Sequence, residues 1–203
     1  MTRTLGVLLY PDFELLDTFG PMEMFGNMQG AVEMLTVADR SGLVKSAQTT
    51  RIHADHGLDD CPRLDMILVP GGMGTRAAAD DARLVDWLRQ RSEQAEIVMT
   101  VCTGSGLLAQ TGLLDGRRAT TNKAFFMWPE TTWPQVKWVR EARWVEDGKF
   151  WTSSGVSAGI DMALAVIARI ASPEMADLLA TGTEYEWHRD AGWDPFARKH
   201  NLV

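Results

Sequence analysis

Two cysteines stand in this chain of 203 residues, and one of them, Cys102, falls where a nucleophile would be held. The segment Thr100-Val101-Cys102-Thr103-Gly104-Ser105-Gly106-Leu107-Leu108-Ala109 reads as the end of a buried strand, a turn and a glycine-opened helix. That is the mechanical logic of a nucleophile elbow, although V-C-T-G-S-G differs in its letters from G-x-S-x-G. Gly104 and Gly106 lack a Cβ and let the turn pack close to its neighbours. A helix starting there points unpaired N–H groups at the thiol and favours the thiolate, the reactive form. A packed cysteine without chemistry fits the same place, because free Cys is among the most buried residue types. The junction alone leaves both readings open.

Two further segments bear on the choice. Val69-Pro70-Gly71-Gly72-Met73-Gly74 ends a core strand, and the amides of Gly71 and Gly72 are expected to face a ligand and polarise it. A plain glycine turn is the alternative. Tyr10–Gly20 (YPDFELLDTFG) follows the first strand and carries Asp12, Glu14 and Asp17. In open α/β sheets ligands collect at the carboxyl ends of strands, so these loops can bring a thiol, a carboxylate and amides together. The four histidines, His53, His56, His188 and His200, make no dyad with Cys102 in sequence. His53-x-x-His56 with Cys61 matches no zinc spacing, so no metal and no cofactor are expected.

These segments need a frame. Strand-length apolar runs alternate with longer amphipathic segments, which is the pattern of an α/β sheet with helices on its faces. The runs Thr4–Tyr10, Val32–Ala38, Asp65–Val69 and Ile97–Val101 are read as core strands, and Leu43–Ile52 as a peripheral β-hairpin. Arg118–Thr121, Val136–Val139 and Arg143–Ser153 are read as further strands, the last folded back at Asp147-Gly148. Helices are expected over Leu15–Met28, Asp80–Glu93, Gly104–Gln110 and Ala158–Ile170, with another starting at Pro173. The tail from Glu184 reads as irregular, and Trp128 and Trp133 flank Pro129 in a loop-like stretch. These two tryptophans either wall a small apolar pocket or anchor the core.

Composition bounds the partners. The chain is 45% hydrophobic and 23% charged with a net charge of -7, which fits one soluble domain over residues 1–203 and offers no basic stripe for nucleic acid. No segment reaches membrane-spanning length. The apolar run in MTRTLGVLLYPDF is too short for a secretory leader, so a cytoplasmic location is expected, with both cysteines as free thiols.

The motifs Leu16-Asp17-Thr18-Phe19-Gly20-Pro21, Val69-Pro70-Gly71-Gly72, Val101-Cys102-Thr103-Gly104-Ser105, Arg118-Ala119-Thr120-Thr121 and Ser154-Gly155-Val156-Ser157-Ala158-Gly159-Ile160-Asp161 together resemble the DJ-1/PfpI (ThiJ) superfamily. The likeness is greatest to its isonitrile hydratase branch and to the amidotransferase-like domains of some transcription regulators. The resemblance implies a flavodoxin-like, doubly wound, mostly parallel sheet sandwiched by helices, in a class I glutamine amidotransferase-like domain that usually forms a homodimer. It implies Cys102 as nucleophile and Asp17 as the acid touching its sulfur. Glu14 is an alternative acid outside the L-D-x-x-G-P pattern, and Asp17 also suits a helix N-cap. Thr103 takes the place where a threonine follows the nucleophile in the hydratases and a histidine follows it in PfpI-like hydrolases, so the base of a Cys-His pair is missing.

The implied activity is hydration of an isonitrile to an N-substituted formamide, with Asp17 raised in pKa by burial. Alternatives are another thiol-dependent small-molecule hydratase or hydrolase of glyoxalase or amidase type, and a cysteine redox sensor or ligand-binding module. The end at Val203, with no helix-turn-helix following, speaks against the DNA-binding form. Two features depart from the hydratases: Asn122-Lys123 stands where they place a histidine, and the tail runs Glu184 to Phe196 in place of a shorter, Pro-rich ending.

Overall fold

Met66–Val69 and Ile97–Thr100 are buried at every position. A strand with no polar face has to lie inside a parallel sheet covered on both sides, and that is where the computed structural model, which describes residues 2–203, places both. The strands are β1 (Arg3–Leu8), β2 (Val32–Ala38), β3 (Gly42–Lys45), β4 (Arg51–Ala54), β5 (His56–Gly57), β6 (Met66–Val69), β7 (Ile97–Thr100), β8 (Arg118–Ala119), β9 (Lys137–Trp138), β10 (Trp144–Asp147) and β11 (Phe150–Ser153). The helices are α1 (Leu15–Gly26), α2 (Thr75–Asp80), α3 (Ala82–Gln94), α4 (Gly104–Gln110), α5 (Met127–Thr132), α6 (Ala158–Ile170), α7 (Pro173–Gly182) and α8 (Pro195–Lys199).

Seven strands form one sheet in the order β10-β11-β7-β6-β1-β2-β5. Its pairings are parallel except for the β10–β11 hairpin. The helices form two packed groups, α1 with α6 and α7, and α2 with α3 and α4. The chain leaves β1 toward β2 and later returns to β6 on the other side of β1, so the winding direction reverses between β1 and β6. Ligand crevices of open α/β sheets form at such reversals, outside the carboxyl ends of the strands. The α1 and α6 helices approach closely because Gly20 and Gly159 carry no side chain: a Cβ on Gly20 would stand 2.7 Å from Ile160 and one on Gly159 2.8 Å from Val101. This contact packs α1 and α6 together beside Val101, the residue that follows β7.

The expected α/β frame and peripheral hairpin are present, the latter as β3 against β4. Several local expectations are corrected. Residues 75–80 form the short helix α2, and the next helix starts at Ala82 because the Asp81 side chain caps it by accepting the Leu84 amide at 3.2 Å. The stretch around Pro129 is helical. The tail is not wholly irregular, since Asp194 caps α8 through the Phe196 amide at 3.0 Å.

Candidate active site

Cys102 has φ of +57°, a left-handed conformation that costs a residue with a Cβ roughly 1–2 kcal/mol. Its peptide is pinned on both sides. The Cys102 amide donates to the Ser154 carbonyl at 3.0 Å, and its carbonyl accepts the hydroxyls of Ser105 and Thr121, each at 3.0 Å. Gly104 has to be glycine for close approach, since a Cβ there would stand 2.6 Å from the Pro70 carbonyl oxygen. The elbow geometry anticipated from the sequence is therefore present, with the strain that the motif implies.

The thiolate expected at this elbow is not what the environment favours. Cys102 is 5% exposed, and burial, reinforced by the charge of Asp17, pushes its thiol up to about 12. The amides of Thr103 and Val156 and the side chain of Asn122 hydrogen-bond the sulfur and pull the other way. The helix behind it, α4, has only seven residues, and its dipole does not outweigh the loss of water. The surroundings therefore favour the protonated sulfur.

Asp17, the third residue of α1, is fully buried. The Gly71 amide donates to its Oδ2 at 2.8 Å, while Oδ1 has no hydrogen-bond partner. Burial pushes the carboxyl up to about 7; the Gly71 amide opposes this, Glu14 adds to it, and the nearby Cys102 thiol lowers it slightly. Asp17 is not an N-cap. The cap position is Glu14, which makes no side-chain capping bond, and Glu14 is tied instead to the Gln48 side-chain amide at 2.7 Å. Of the two carboxylates, Asp17 is the one whose charge is felt at the sulfur.

The amides of Gly71 and Gly72 were expected to face a ligand. Both are engaged within the protein: Gly71 donates to Asp17, and Gly72 donates to Thr103 Oγ1 at 3.1 Å. Thr103 Oγ1 also shares a hydrogen bond with Thr75 Oγ1 at 2.8 Å. Tyr10 closes this network by donating to the Pro70 carbonyl at 2.5 Å, with its hydroxyl 3.1 Å from that of Thr75. A Cβ on Gly71 would lie 2.6 Å from the Thr103 nitrogen and 2.9 Å from Cys102 Cβ. Gly72 lines the cavity beside Cys102, but in this structure both amides are taken up by side chains of the protein.

Cys102 opens onto a cavity of about 120 Å³ whose walls include Met73, Phe125, Trp128 and Val156, with Glu14 and Arg76 also lining it. The Arg76 guanidinium lies 4.9 Å from the centre of the Trp128 ring. The two tryptophans divide their roles. Trp128 walls the cavity, whereas Trp133, 9% exposed, packs edge-on against it in the core and donates to Gln110 at 2.9 Å.

Two residues that line the cavity were not singled out from the sequence. Asn122 Nδ2 donates to Cys102 Sγ at 3.1 Å. The only sequence signal was that Asn122-Lys123 interrupts the expected pattern after Arg118-Ala119-Thr120-Thr121. Val156 has φ of +42°, a strained value for a β-branched residue, and this aims its amide at the sulfur.

The remaining candidates lie elsewhere. His53 is in β4, His56 in β5, His188 in the tail and His200 just after α8, and none of them lines this cavity. Both cysteines are free, and Cys61 donates to the Pro62 carbonyl at 3.4 Å. Among the described residues no group of three or more His, Cys, Asp or Glu side chains is placed to hold a metal, and no helix is long and apolar enough to cross a membrane.

Comparison with known proteins bears on the family and the fold. The pattern of the DJ-1/PfpI family matches residues 3–169. The chain is 34% identical over 192 residues to isonitrile hydratase of Pseudomonas putida, covering 91% of this chain and 79% of that one. It is 30% identical over 190 residues to the HTH-type transcriptional regulator CdhR of Pseudomonas aeruginosa, covering 87% of this chain but only 53% of the regulator. Among solved structures, a THiJ/PfpI family protein from Pseudomonas syringae superposes with a TM-score of 0.85 at 30% identity, covering 92% of this chain and 76% of that one.

Proposed function

Because the chain belongs to the DJ-1/PfpI family, we propose that it is a cysteine-dependent enzyme that hydrates small isonitriles to N-substituted formamides. The observation that carries this reading is the pairing of a buried Cys102 thiol with an Asp17 carboxyl that holds one oxygen unpartnered and titrates near neutrality. Likeness to an isonitrile hydratase over most of both chains supports it.

In the proposed cycle the Asp17 carboxylate takes the thiol proton as sulfur bonds to the terminal carbon of R–N≡C. Asp17 then returns that proton to the same carbon, leaving a thioimidate, R–N=CH–S–Cys102. Water adds through its oxygen to this carbon and one of its protons passes to nitrogen. The carbon–sulfur bond breaks as the C=O bond forms, and the remaining proton returns to the thiolate. The net change is R–NC plus water to R–NH–CHO. A carboxyl near its midpoint at neutral pH serves both as acceptor and donor. Thr103, which lines the cavity with Thr75 and whose hydroxyl is held by Thr75 and the Gly72 amide, is assigned the orientation of the attacking water. Gly71 holds Asp17, and Gly72 holds Thr103.

Two features separate this from the alternatives. Hydrolysis of an amide begins with an oxyanion that needs free donors, and the Gly71 and Gly72 amides are already engaged. A redox sensor needs an accessible, low-pKa thiol, whereas Cys102 is buried and raised. The apolar cavity wall fits an uncharged alkyl or aryl substituent in a small-molecule substrate. A homodimer acting in the cytoplasm is part of the proposal.

The test is direct. Purified protein incubated with methyl, cyclohexyl and phenyl isonitrile is expected to yield the corresponding formamide by chromatography, and Cys102→Ala to yield none. Absence of formamide from all three, or its persistence in Cys102→Ala, overturns the reading.

A further inference from the structure

A buried sulfur that surrenders its proton to a neighbouring carboxyl becomes an anion with little water around it. Something has to meet that charge, or the transfer does not occur. Three donors reach Sγ: the amides of Thr103 and Val156, and the Asn122 side chain. The first two are backbone groups fixed by the turn. The third is set by residue type, and its direction is forced.

Asn122 Oδ1 accepts the Ala124 amide at 2.8 Å and the Phe125 amide at 3.2 Å. A flipped side chain would set its own NH2 against two N–H groups, so the NH2 end has to point at the sulfur, 3.1 Å away. Gly155 makes the room: a Cβ there would stand 2.5 Å from Nδ2. The next residue, Lys123, turns away and spends its ammonium on Thr120 Oγ1 at 2.7 Å and the Ala142 carbonyl at 2.6 Å. No cation therefore reaches the sulfur from this loop. The ionisable groups whose charge is felt at the sulfur are Asp17 from α1 and Tyr10 after β1, while Glu14 before α1 and Arg76 of α2 line the cavity onto which it opens.

We propose that Asn122 is a catalytic residue, a fixed neutral donor that holds the Cys102 sulfur as an anion between loss of its proton to Asp17 and formation of the sulfur–carbon bond. The assignment rests on Cys102 being the nucleophile, as proposed above, but not on the electrophile being an isonitrile. A carboxamide suits the task because it has no proton to exchange at ordinary pH. It stabilises the anion without competing with Asp17 for the proton, which a histidine here would do. Proton carriage and anion stabilisation are thereby assigned to different side chains.

Two variants test this. Asn122→Asp keeps the shape and still accepts the Ala124 and Phe125 amides, but replaces the donor with an acceptor. Asn122→Ala removes the donor without adding charge. The readout is the rate of Cys102 alkylation by iodoacetamide from pH 6 to 9, followed by mass spectrometry, with Cys61 in the same molecules as internal control. Loss of one hydrogen bond to an ionised group reduces the thiolate fraction at least ten-fold, and the greater nucleophilicity of the more basic thiolate recovers part of this. Alkylation of Cys102 in Asn122→Ala is thus expected to slow by about three- to ten-fold. It should slow further in Asn122→Asp, with Cys61 unchanged in both.

An unaltered Cys102 profile in a folded Asn122→Asp protein overturns the assignment, whatever the fate of Asn122→Ala. If the variants behave as expected while the wild-type protein makes no formamide, the isonitrile reading falls and the role of Asn122 stands.

Discussion

The Gly71 amide and the Asp17 carboxyl meet at 2.8 Å through Oδ2, and this single bond leaves Asp17 Oδ1 buried without a partner. Residues 54 positions apart are joined here at the point where the sheet reverses its winding. One neutral donor does not offset the removal of a carboxylate from water, so the protonated form is favoured well above its ordinary range. The same relationship that poises Asp17 for the proposed proton transfer makes its ionisation costly to the fold.

That cost has a pH signature. The folded-state pKa of about 7 lies above the ordinary 3.8, so between these values the native state binds more protons than the unfolded chain. Stability from this group is complete below about pH 4 and declines as pH rises through 7. Asp17→Asn keeps an oxygen to accept the Gly71 amide and removes the titration. Its stability relative to wild type is expected to rise from pH 5 to about pH 7 and then level off, by an amount on the order of a few kcal/mol. A constant difference across that range in thermal melts would show that Asp17 does not titrate there.

Activity should follow the opposite course. Asp17 has to be ionised to accept the thiol proton, so kcat/KM for an isonitrile is expected to rise with pH, one proton deep, through a midpoint near 7. The Cys102 thiol, pushed to about 12, adds no second inflection below pH 9. Asp17→Asn should lose at least about a hundred-fold in kcat/KM, the usual worth of a general acid–base group. A flat profile from pH 5.5 to 8.5 counts against Asp17 as proton carrier.

Gly71 tolerates no side chain. Its Cβ would overlap the Thr103 nitrogen and Oγ1 at 2.6 Å and Cys102 Cβ at 2.9 Å, all parts of the site and two of them backbone or next to it. Gly71→Ala should therefore cost about 1–3 kcal/mol in chemical denaturation, as overpacking does, and also reduce turnover. Gly116→Ala is the matched control. Its φ of +73° strains alanine, but open space surrounds it, so it should cost about 1 kcal/mol and leave activity intact. Equal turnover in the two variants would separate Gly71 from the chemistry.

What could be read from the residues alone divides along a physical line. The strands β6 and β7 and the elbow at Cys102 were legible because continuous apolar runs and a Cys-Thr-Gly turn are local signals. Asp17 was legible through its motif, and its raised pKa through the expectation of burial. The error at Cys102 came from weighing the local α4 dipole above desolvation, which depends on how many other elements close over the sulfur. The partners of the Gly71 and Gly72 amides were hidden for the same reason, since Asp17 and Thr103 come from other segments. Asn122 could be seen only as a broken pattern, because its value lies in a contact across 20 positions with an orientation set by Ala124 and Phe125.

The tail, a second departure from the hydratase pattern, is held by a buried ion pair whose rupture should be felt at a distance. Arg143, 8% exposed, donates to Asp161 Oδ2 through Nε at 2.7 Å and lies 2.6 Å from it through Nη2. Asp161 Oδ1 accepts the Tyr185 hydroxyl at 3.1 Å and the His188 amide at 2.9 Å, which ties the tail to α6. The Arg143 carbonyl accepts the Ser154 amide at 2.8 Å, and the Ser154 carbonyl accepts the Cys102 amide, so the pair also backs the elbow. Arg143→Met leaves Asp161 buried without its cation and is expected to destabilise by about 3–5 kcal/mol. Proteolysis should then begin in the segment 184–194, where the contacts to Asp161 are lost first. Adding Asp161→Asn removes the nearer of the two charges stranded, the other being the buried Asp194 at 3.9 Å from Arg143, and should recover a measurable part of the loss, the coupling that a double-mutant cycle reports. A single variant within 0.5 kcal/mol of wild type, on the order of an inconsequential surface change, would mean that the tail is held by its aromatic packing instead.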